Sequence, residues 1–311
     1  MISKYSIRSI IFLCAFFSLQ SLSHAKVNVV VTTPDIAWAV KKIGGGLVSV
    51  NSLLSGREDP HYVDAVPEFI RLVASADVVC QVGLDLEVGW LPKVLEKSGN
   101  AKVQSGGSGE CILGSKVKAL EVPSGPVDRS MGDTHPGGNP HFWLGPETFW
   151  EAASAILEVL SAVDPKNAAT YYENYSKEKK TLLKIKADLA GKLSPFKNSK
   201  NPLFIQYHRE FSYFFHEFSL NTFGAIEEKP GVLPSAGRIG FVGLKAKSAG
   251  VKLALVKPND PSSVISKFSE LSSVEVLRFN PSLVKGEKED YYAHLNDLVE
   301  LILKKLTYKE N

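Results

Sequence analysis

Short Val-rich runs alternate with amphipathic segments along residues 26–104, and this alternation predicts strands separated by helices. Compact β-branched runs are typical of buried strands, whereas apolar residues at three- and four-residue spacing indicate helices. Strands separated by helices indicate a parallel sheet in an α/β domain. The predicted strands are 26–32, 48–54, 77–82 and 101–104, and the predicted helices are 34–43, 66–75 and 91–98.

The same alternation returns after residue 201, so a second α/β unit is predicted there. Helical patterns at 146–163 and 165–193 separate the two units, and the second would be about 40 Å long at ~1.5 Å per residue. A helix of that length between two α/β halves suits a spacer better than a core element. The C-terminal strands are 202–206, 222–225, 253–256 and 274–277, and the helices are 209–218, 237–249, 262–271 and 290–306.

We therefore expect an α/β protein of two lobes, each with a mainly parallel sheet flanked by helices, joined by one long rigid helix. The predicted division is a signal peptide at 1–25, an N-terminal lobe at 26–164, a linker helix at 165–194 and a C-terminal lobe at 195–311. Two domains of ordinary size fit the length.

The first 25 residues have the form of a secretory signal. Lys4 and Arg8 precede an apolar run at 10–19, and small residues stand at the −3 and −1 positions of Ser23-His24-Ala25. The run is shorter than the ~20 residues that span a bilayer. We expect cleavage before Lys26 and a mature protein outside the cytoplasm.

Charge and cysteine content narrow the function classes. The chain has a formal net charge of +3, two units of which lie in the predicted signal, so the mature protein is near neutral. A near-neutral protein has no net electrostatic attraction to nucleic acid or anionic membranes, so neither is expected as a partner. Acidic residues are dispersed along the chain, which is typical of a solvated surface. Cys80 and Cys111 could form a disulfide in an oxidising compartment, or Cys80 could pack as a buried thiol.

Three histidines stand apart as candidate metal ligands. Two follow proline, in Asp59-Pro60-His61 and Asn139-Pro140-His141, and His208 ends a predicted strand. Proline restricts the backbone around it, so the imidazole that follows can project from the backbone only in a limited range of directions. Three imidazoles with an open fourth position suit a tetrahedral zinc site. His135 either helps to capture a metal or is solvated, and His216 and His294 fit structural roles within helices.

With these features in place, the chain resembles the periplasmic solute-binding proteins of zinc and manganese ABC transporters. The resemblance spans the mature chain. Its matching segments are LLSGREDPH at 53–61, ADVVCQVGLDLE at 76–87, NPHFWL at 139–144, YHREFSYF at 207–214, EKPGVLPSAGRI at 228–239 and DYYAHL at 290–295.

The resemblance implies that His61, His141 and His208 bind the metal. Histidine at position 208, where manganese-type relatives tend to have Glu, favours zinc. Relatives often carry an Asp in the last loop of the C-terminal lobe, but this chain reads Phe279-Asn280-Pro281-Ser282. The fourth ligand is therefore left open between water and three side chains: Glu227, Glu228 and His135.

The resemblance implies a monomeric periplasmic receptor that binds Zn²⁺ with high affinity and delivers it to the membrane permease of an ABC transporter. The alternatives are a manganese or iron receptor of the same fold and a zinc hydrolase that uses the open fourth position. Glu210 is the carboxylate nearest in sequence to a ligand and would be the base of such a hydrolase. An adhesin-like interaction protein is a further alternative.

Overall fold

The computed structural model describes residues 25–287 and 289–307 of the 311-residue chain. The predicted signal peptide at 1–25 lies outside the described residues except for its last position, Ala25. Among the helices of the described part, none is both long enough and apolar enough to cross a membrane.

The N-terminal sheet has four parallel strands, in the order β2-β1-β3-β4. The helices α1 and α2 begin at a proline, which suits the first helical position because its missing N–H has no intrahelical partner there. The strands are β1 Val27–Val31, β2 Val48–Ser52, β3 Val78–Gln81 and β4 Glu110–Ile112, and the helices are α1 Pro34–Gly44, α2 Pro67–Ala74 and α3 Leu91–Ser98.

The prediction of a strand at 101–104 is wrong. Ala101–Val103 form a 3-10 turn instead, because the Asn100 side chain accepts a hydrogen bond from the backbone N–H of Lys102 at 3.2 Å. The glycine-rich segment 105–109 then turns the chain back. The fourth strand therefore starts later, at Glu110, and pairs with β3.

Three helices connect the two sheets: α4 Pro146–Ala152, α5 Ser154–Val163 and α6 Ala168–Leu193. The predicted helix at 146–163 is interrupted at Ala153, so it forms α4 and α5. The predicted helix at 165–193 begins with a 3-10 turn, Pro165–Asn167, before α6. At 26 residues, α6 spans about 39 Å at ~1.5 Å per residue.

The C-terminal sheet repeats the strand order of the first, as β6-β5-β7-β8, and all its pairings are parallel. The predicted fold class of two parallel α/β lobes joined by a long helix is confirmed. The strands are β5 Phe204–Gln206, β6 Thr222–Ala225, β7 Leu253–Val256 and β8 Glu275–Arg278, and the helices are α7 Ser212–Glu217, α8 Ala236–Ala249, α9 Ser262–Ser272 and α10 Tyr291–Thr307.

Helix α6 is packed into the core and is not a bare spacer. It contacts α1, α4, α5 and α10, and it buries Tyr171, Leu182, Leu189 and Leu193. One continuous apolar cluster runs through both halves. In that cluster the Trp38 ring of α1 lies 5.0 Å from the Tyr291 ring of α10. The exact lobe boundaries at 164, 194 and 195 stay a prediction.

Cys80 and Cys111, the cysteines among the described residues, are free, buried thiols on neighbouring strands. Cys80 on β3 and Cys111 on β4 are directly paired in the parallel register. Burial raises the pKa of the Cys80 thiol well above its usual range, so the thiol stays protonated. The structure therefore agrees with the interpretation of Cys80 as a packed thiol and shows no bridge to Cys111.

Candidate metal centre

The three predicted histidines converge between the two lobes. One potential ligand nitrogen from each of His61, His141 and His208 lies within 4.8 Å of the other two. Their ring centroids are 5.0 to 5.7 Å apart. His61 lies in the loop after β2, and His208 lies two residues after the end of β5, so both come from carboxyl ends of parallel strands, where ligands gather in open α/β sheets. His141 precedes a 3-10 turn at Phe142–Leu144.

The two Pro-His segments fold in the same way. In each, the side-chain oxygen of the residue before proline accepts hydrogen bonds from both the backbone N–H and the Nδ1 of the histidine. For Asp59 and His61 the distances are 3.1 and 2.7 Å, and for Asn139 and His141 they are 2.9 and 2.8 Å. This local turn fixes the orientation of the ring before any ion arrives.

His208 is oriented by a more distant carboxylate. Its Nδ1 lies 2.8 Å from Oε2 of Glu227, in the loop after β6. That oxygen also accepts the backbone N–H of Gly231 at 3.2 Å. The guanidinium of Arg238 holds the same loop through the carbonyls of Ala225, Ile226 and Glu227.

In all three histidines the partner of Nδ1 is an oxygen acceptor, so Nδ1 carries a proton, and Nε2 presents a lone pair whenever the ring is neutral. Nε2 of His141 is buried and has no hydrogen-bond partner. A buried polar atom without a partner is costly unless a ligand completes it. A metal ion held by these nitrogens would remove that cost, so the residues fit a transition metal.

The pKa values of His141 and His208 are shifted in opposite directions. Burial, followed by the nearby positive charge of protonated His208, lowers the pKa of His141 well below its usual range. Burial acts in the same direction on His208, but its hydrogen bond to Glu227 and the charge of Glu210 outweigh it and raise its pKa. His141 is therefore neutral at physiological pH, whereas a proton on His208 would compete with a metal ion for its nitrogen.

The fourth-ligand candidates occupy different positions. His135 lies beside the centre, with its Nε2 3.1 Å from Nε2 of His61, and burial lowers its pKa to about 3. Glu227 is engaged with Nδ1 of His208. Glu228 is exposed to solvent. Asn280, in the loop where relatives often carry Asp, donates to the carbonyl of Gly56 in the other lobe at 2.8 Å.

Sequence reasoning missed a group of buried charges beside the centre. Lys257, at the end of β7, lies with its Nζ 2.7 Å from Oε1 of Glu210 and 3.3 Å from Oδ2 of Asp59. Asp260 accepts the backbone N–H of Lys257 at 2.6 Å. Glu210 and Asp260 are buried, which contradicts the expectation that the acidic residues form a solvated surface. These charges line a cleft of about 380 Å³ that also reaches His61 and His208.

The remaining histidines lie elsewhere. His216 is exposed on α7, and His294 on α10 stacks against Phe279 with ring centroids 4.6 Å apart. Neither belongs to the cluster of three, in agreement with their predicted placement within helices.

Comparison with known proteins agrees with this architecture. Residues 29–305 match the family model of the periplasmic zinc-uptake complex component A, ZnuA. Manganese-binding lipoprotein MntA of Bacillus subtilis is 30% identical over 68% of this chain and 64% of its own length. Iron-transporter lipoprotein MtsA of Streptococcus pyogenes is 26% identical over 60% of this chain and 58% of its own length. The chain thus spans about half to two thirds of the curated relatives that it matches.

The fold comparison extends over more of the molecule. A crystal structure of ZnuA superposes with a TM-score of 0.72 at 22% identity, covering 90% of this chain and 99% of that one. At this identity the likeness concerns the fold. The family model, by contrast, matches nearly the whole described chain, and the chain therefore belongs to the ZnuA family of ABC-transporter metal-binding proteins.

Proposed function

We propose that this protein is a metal receptor of an ABC transporter and that it binds one Zn²⁺ through Nε2 of His61, His141 and His208. The observation that carries the proposal is the convergence of three imidazoles from separate segments, with ligand atoms within 4.8 Å of one another. A hydrogen bond at Nδ1 already orients each imidazole ring, so the side chains need little further ordering when the ion binds.

Zinc is favoured by the chemistry of the donor set. Three imidazole nitrogens suit zinc, whereas manganese prefers harder oxygen donors. A manganese or iron receptor is the second candidate, because MntA and MtsA are named for those metals. Competition between Zn²⁺, Mn²⁺ and Fe²⁺ for the metal-free protein tests the choice, and a lower Kd for Mn²⁺ than for Zn²⁺ would reverse it.

Glu210, the candidate base of the hydrolase alternative, is not free to accept a proton. Glu210 is buried and its Oε1 is paired with Nζ of Lys257 at 2.7 Å, so the carboxylate is already engaged. We therefore propose binding and delivery, with no catalytic step. Metal-dependent turnover of ester, phosphate or lactam substrates by the zinc-loaded protein would contradict this conclusion.

We further propose that the signal at 1–25 is cleaved, that the mature protein works in the periplasm as a monomer, and that its partner is a membrane permease. The basic, apolar and small-residue pattern of the leader supports the first point. Mass spectrometry of the mature protein should place its first residue at Lys26. Sedimentation of that protein should give the mass of one chain.

Thermal unfolding tests the metal site directly. A ligand at a hundred times its Kd stabilises the folded state by about 2.7 kcal/mol. Zinc should therefore raise the Tm, and a chelator should reverse the shift. His61→Ala, His141→Ala and His208→Ala should each reduce the shift and the bound zinc found by elemental analysis. His216→Ala is the matched control and should behave as the wild type. An unchanged Tm of the wild type in saturating zinc would refute the proposal.

A further inference from the structure

The buried lysine beside the metal centre joins the two lobes. Lys257 belongs to the C-terminal lobe, and its ammonium contacts Asp59 of the N-terminal lobe as well as Glu210 of its own lobe. Its side chain is only 17% exposed. Burial lowers the pKa of Lys257, but the charges of Glu210 and Asp59 outweigh burial and raise it, so the ammonium stays charged.

Both carboxylates that Lys257 holds are tied to candidate ligands. Asp59 uses its other oxygen, Oδ1, to hold Nδ1 of His61 at 2.7 Å. Glu210 stands two residues after His208, and both line the same cleft. One carboxylate therefore separates the ammonium from the imidazole of His61. A divalent ion on the other side of that ring feels both the carboxylates and the lysine.

The charge of the Lys257 ammonium has opposite effects on the metal-free protein and on its complex with a metal ion. Without a metal, the buried carboxylate of Glu210 and the partly exposed one of Asp59 lie close together, and the ammonium offsets their repulsion and the lost hydration of Glu210. With a metal bound, the same ammonium repels the dication and neutralises the anions that would otherwise attract it. Both effects are stronger than in bulk water because Glu210 and most of the Lys257 side chain are buried, which lowers the effective dielectric constant. Lys257 stabilises the metal-free protein and weakens its complex with the ion.

We infer that Lys257 is an internal counter-cation that occupies the acidic cleft in place of the metal, and thereby lowers metal affinity to a level that permits release. This inference rests on the metal-binding function proposed above. It concerns a residue outside the proposed ligand set. A lysine that only supported the fold would leave the affinity for Zn²⁺ unchanged, whereas a counter-cation beside the site lowers it.

The test compares zinc affinity and metal-free stability in the same variants. Lys257→Met removes the charge, and we expect its Kd for Zn²⁺, measured by chelator competition, to fall about tenfold or more, as the loss of a nearby like charge requires. The unfolding midpoint of the metal-free variant should fall at the same time. Lys257→Arg keeps the charge and should keep a Kd near that of the wild type. Lys257→Gln should bind more tightly, as Lys257→Met does.

Lys186 on α6 provides a matched control. It is similarly buried, at 20% exposure, and also joins two carboxylates, Glu147 and Glu217, but it lies away from the cleft. Lys186→Met should lower the unfolding midpoint and leave the Kd for Zn²⁺ unchanged. An affinity for Zn²⁺ that rises in Lys257→Met but not in Lys186→Met supports the inference.

The outcomes separate this inference from the proposed function. If the wild type binds zinc but Lys257→Met binds with equal or lower affinity, the inference is wrong and the receptor function stands. If the wild type binds no zinc, both are wrong. Should Lys257→Met fail to fold without metal, added zinc is expected to restore folding, and failure to fold in zinc would overturn the inference.

Discussion

Asn139 offers a sharp test of how the metal centre is built. Its Oδ1 accepts hydrogen bonds from the backbone N–H and Nδ1 of His141. Its Nδ2 donates to Oε2 of Glu121 and to the carbonyl of Arg209, both at 2.8 Å. One amide therefore orients a candidate ligand with its oxygen and ties the two lobes with its nitrogen. Asn139→Ala removes both functions.

The magnitude follows from the groups left behind. Asn139→Ala leaves two buried donors of His141 without their acceptor, at about 1–3 kcal/mol each. The free energy of unfolding of the metal-free protein should thus fall by roughly 2–6 kcal/mol. Loss of the group that orients a metal-bound histidine typically weakens metal affinity about 10–100-fold, and we expect the Kd for Zn²⁺ to rise by that factor.

Asn139→Asp separates the two functions in one assay. The carboxylate keeps the acceptor for His141, so zinc affinity measured by chelator competition should stay close to that of the wild type. Its second oxygen, however, faces Glu121 and the Arg209 carbonyl, and urea unfolding should show a loss of stability. An Asn139→Ala variant that is folded and binds zinc as tightly as the wild type would refute the assignment.

Two further predictions concern the contacts between the lobes. Burial raises the pKa of Asp35 from 3.8 to about 7. The folded state therefore holds a proton that the unfolded chain releases, and urea unfolding should show a stability loss of up to ~1.4 kcal/mol per unit as pH rises from about 4 to 7. Asp35→Asn should reduce this slope, whereas Asp260, whose pKa is also raised to about 7, continues to contribute; a slope equal to that of the wild type excludes Asp35 as a source. Gly56, at φ 87°, would place a Cβ 1.9 Å from the carbonyl oxygen of Leu283. Gly56→Ala should thus lower stability by about 2 kcal/mol more than Gly99→Ala, whose positive φ comes without a close neighbour, and equal losses of Tm would contradict this steric argument.

The sequence was most informative where structure is local. Asp59-Pro60-His61 and Asn139-Pro140-His141 each form a turn whose hydrogen bonds lie within three residues, so the pattern alone indicates how the ring is held. Likewise, strands and helices that alternate in sequence lead to parallel sheets with few alternatives. The convergence of these segments with His208 could be proposed because carboxyl ends of parallel strands meet at one edge.

The buried charges could not be predicted in this way. Lys257 and Asp59 are 198 residues apart, and neither pattern nor spacing links them. An isolated lysine or carboxylate has the same appearance in sequence whether it is solvated or paired inside a cleft. The fourth strand was misplaced for a related reason. The cap at Asn100 and the glycines after it favour a turn, and pairing with β3 selects Glu110–Ile112.

The apolar cluster shared by both lobes limits how the proposed metal ion could be exchanged. A wide swing of one lobe away from the other would part Trp38 from Tyr291 and hydrate both rings, and each such aromatic residue costs about 1.5–3 kcal/mol to expose. The long helix would lose its packing on one side as well. We therefore expect an ion to be exchanged without a wide separation of the lobes, and scattering profiles of loaded and empty protein should nearly superimpose.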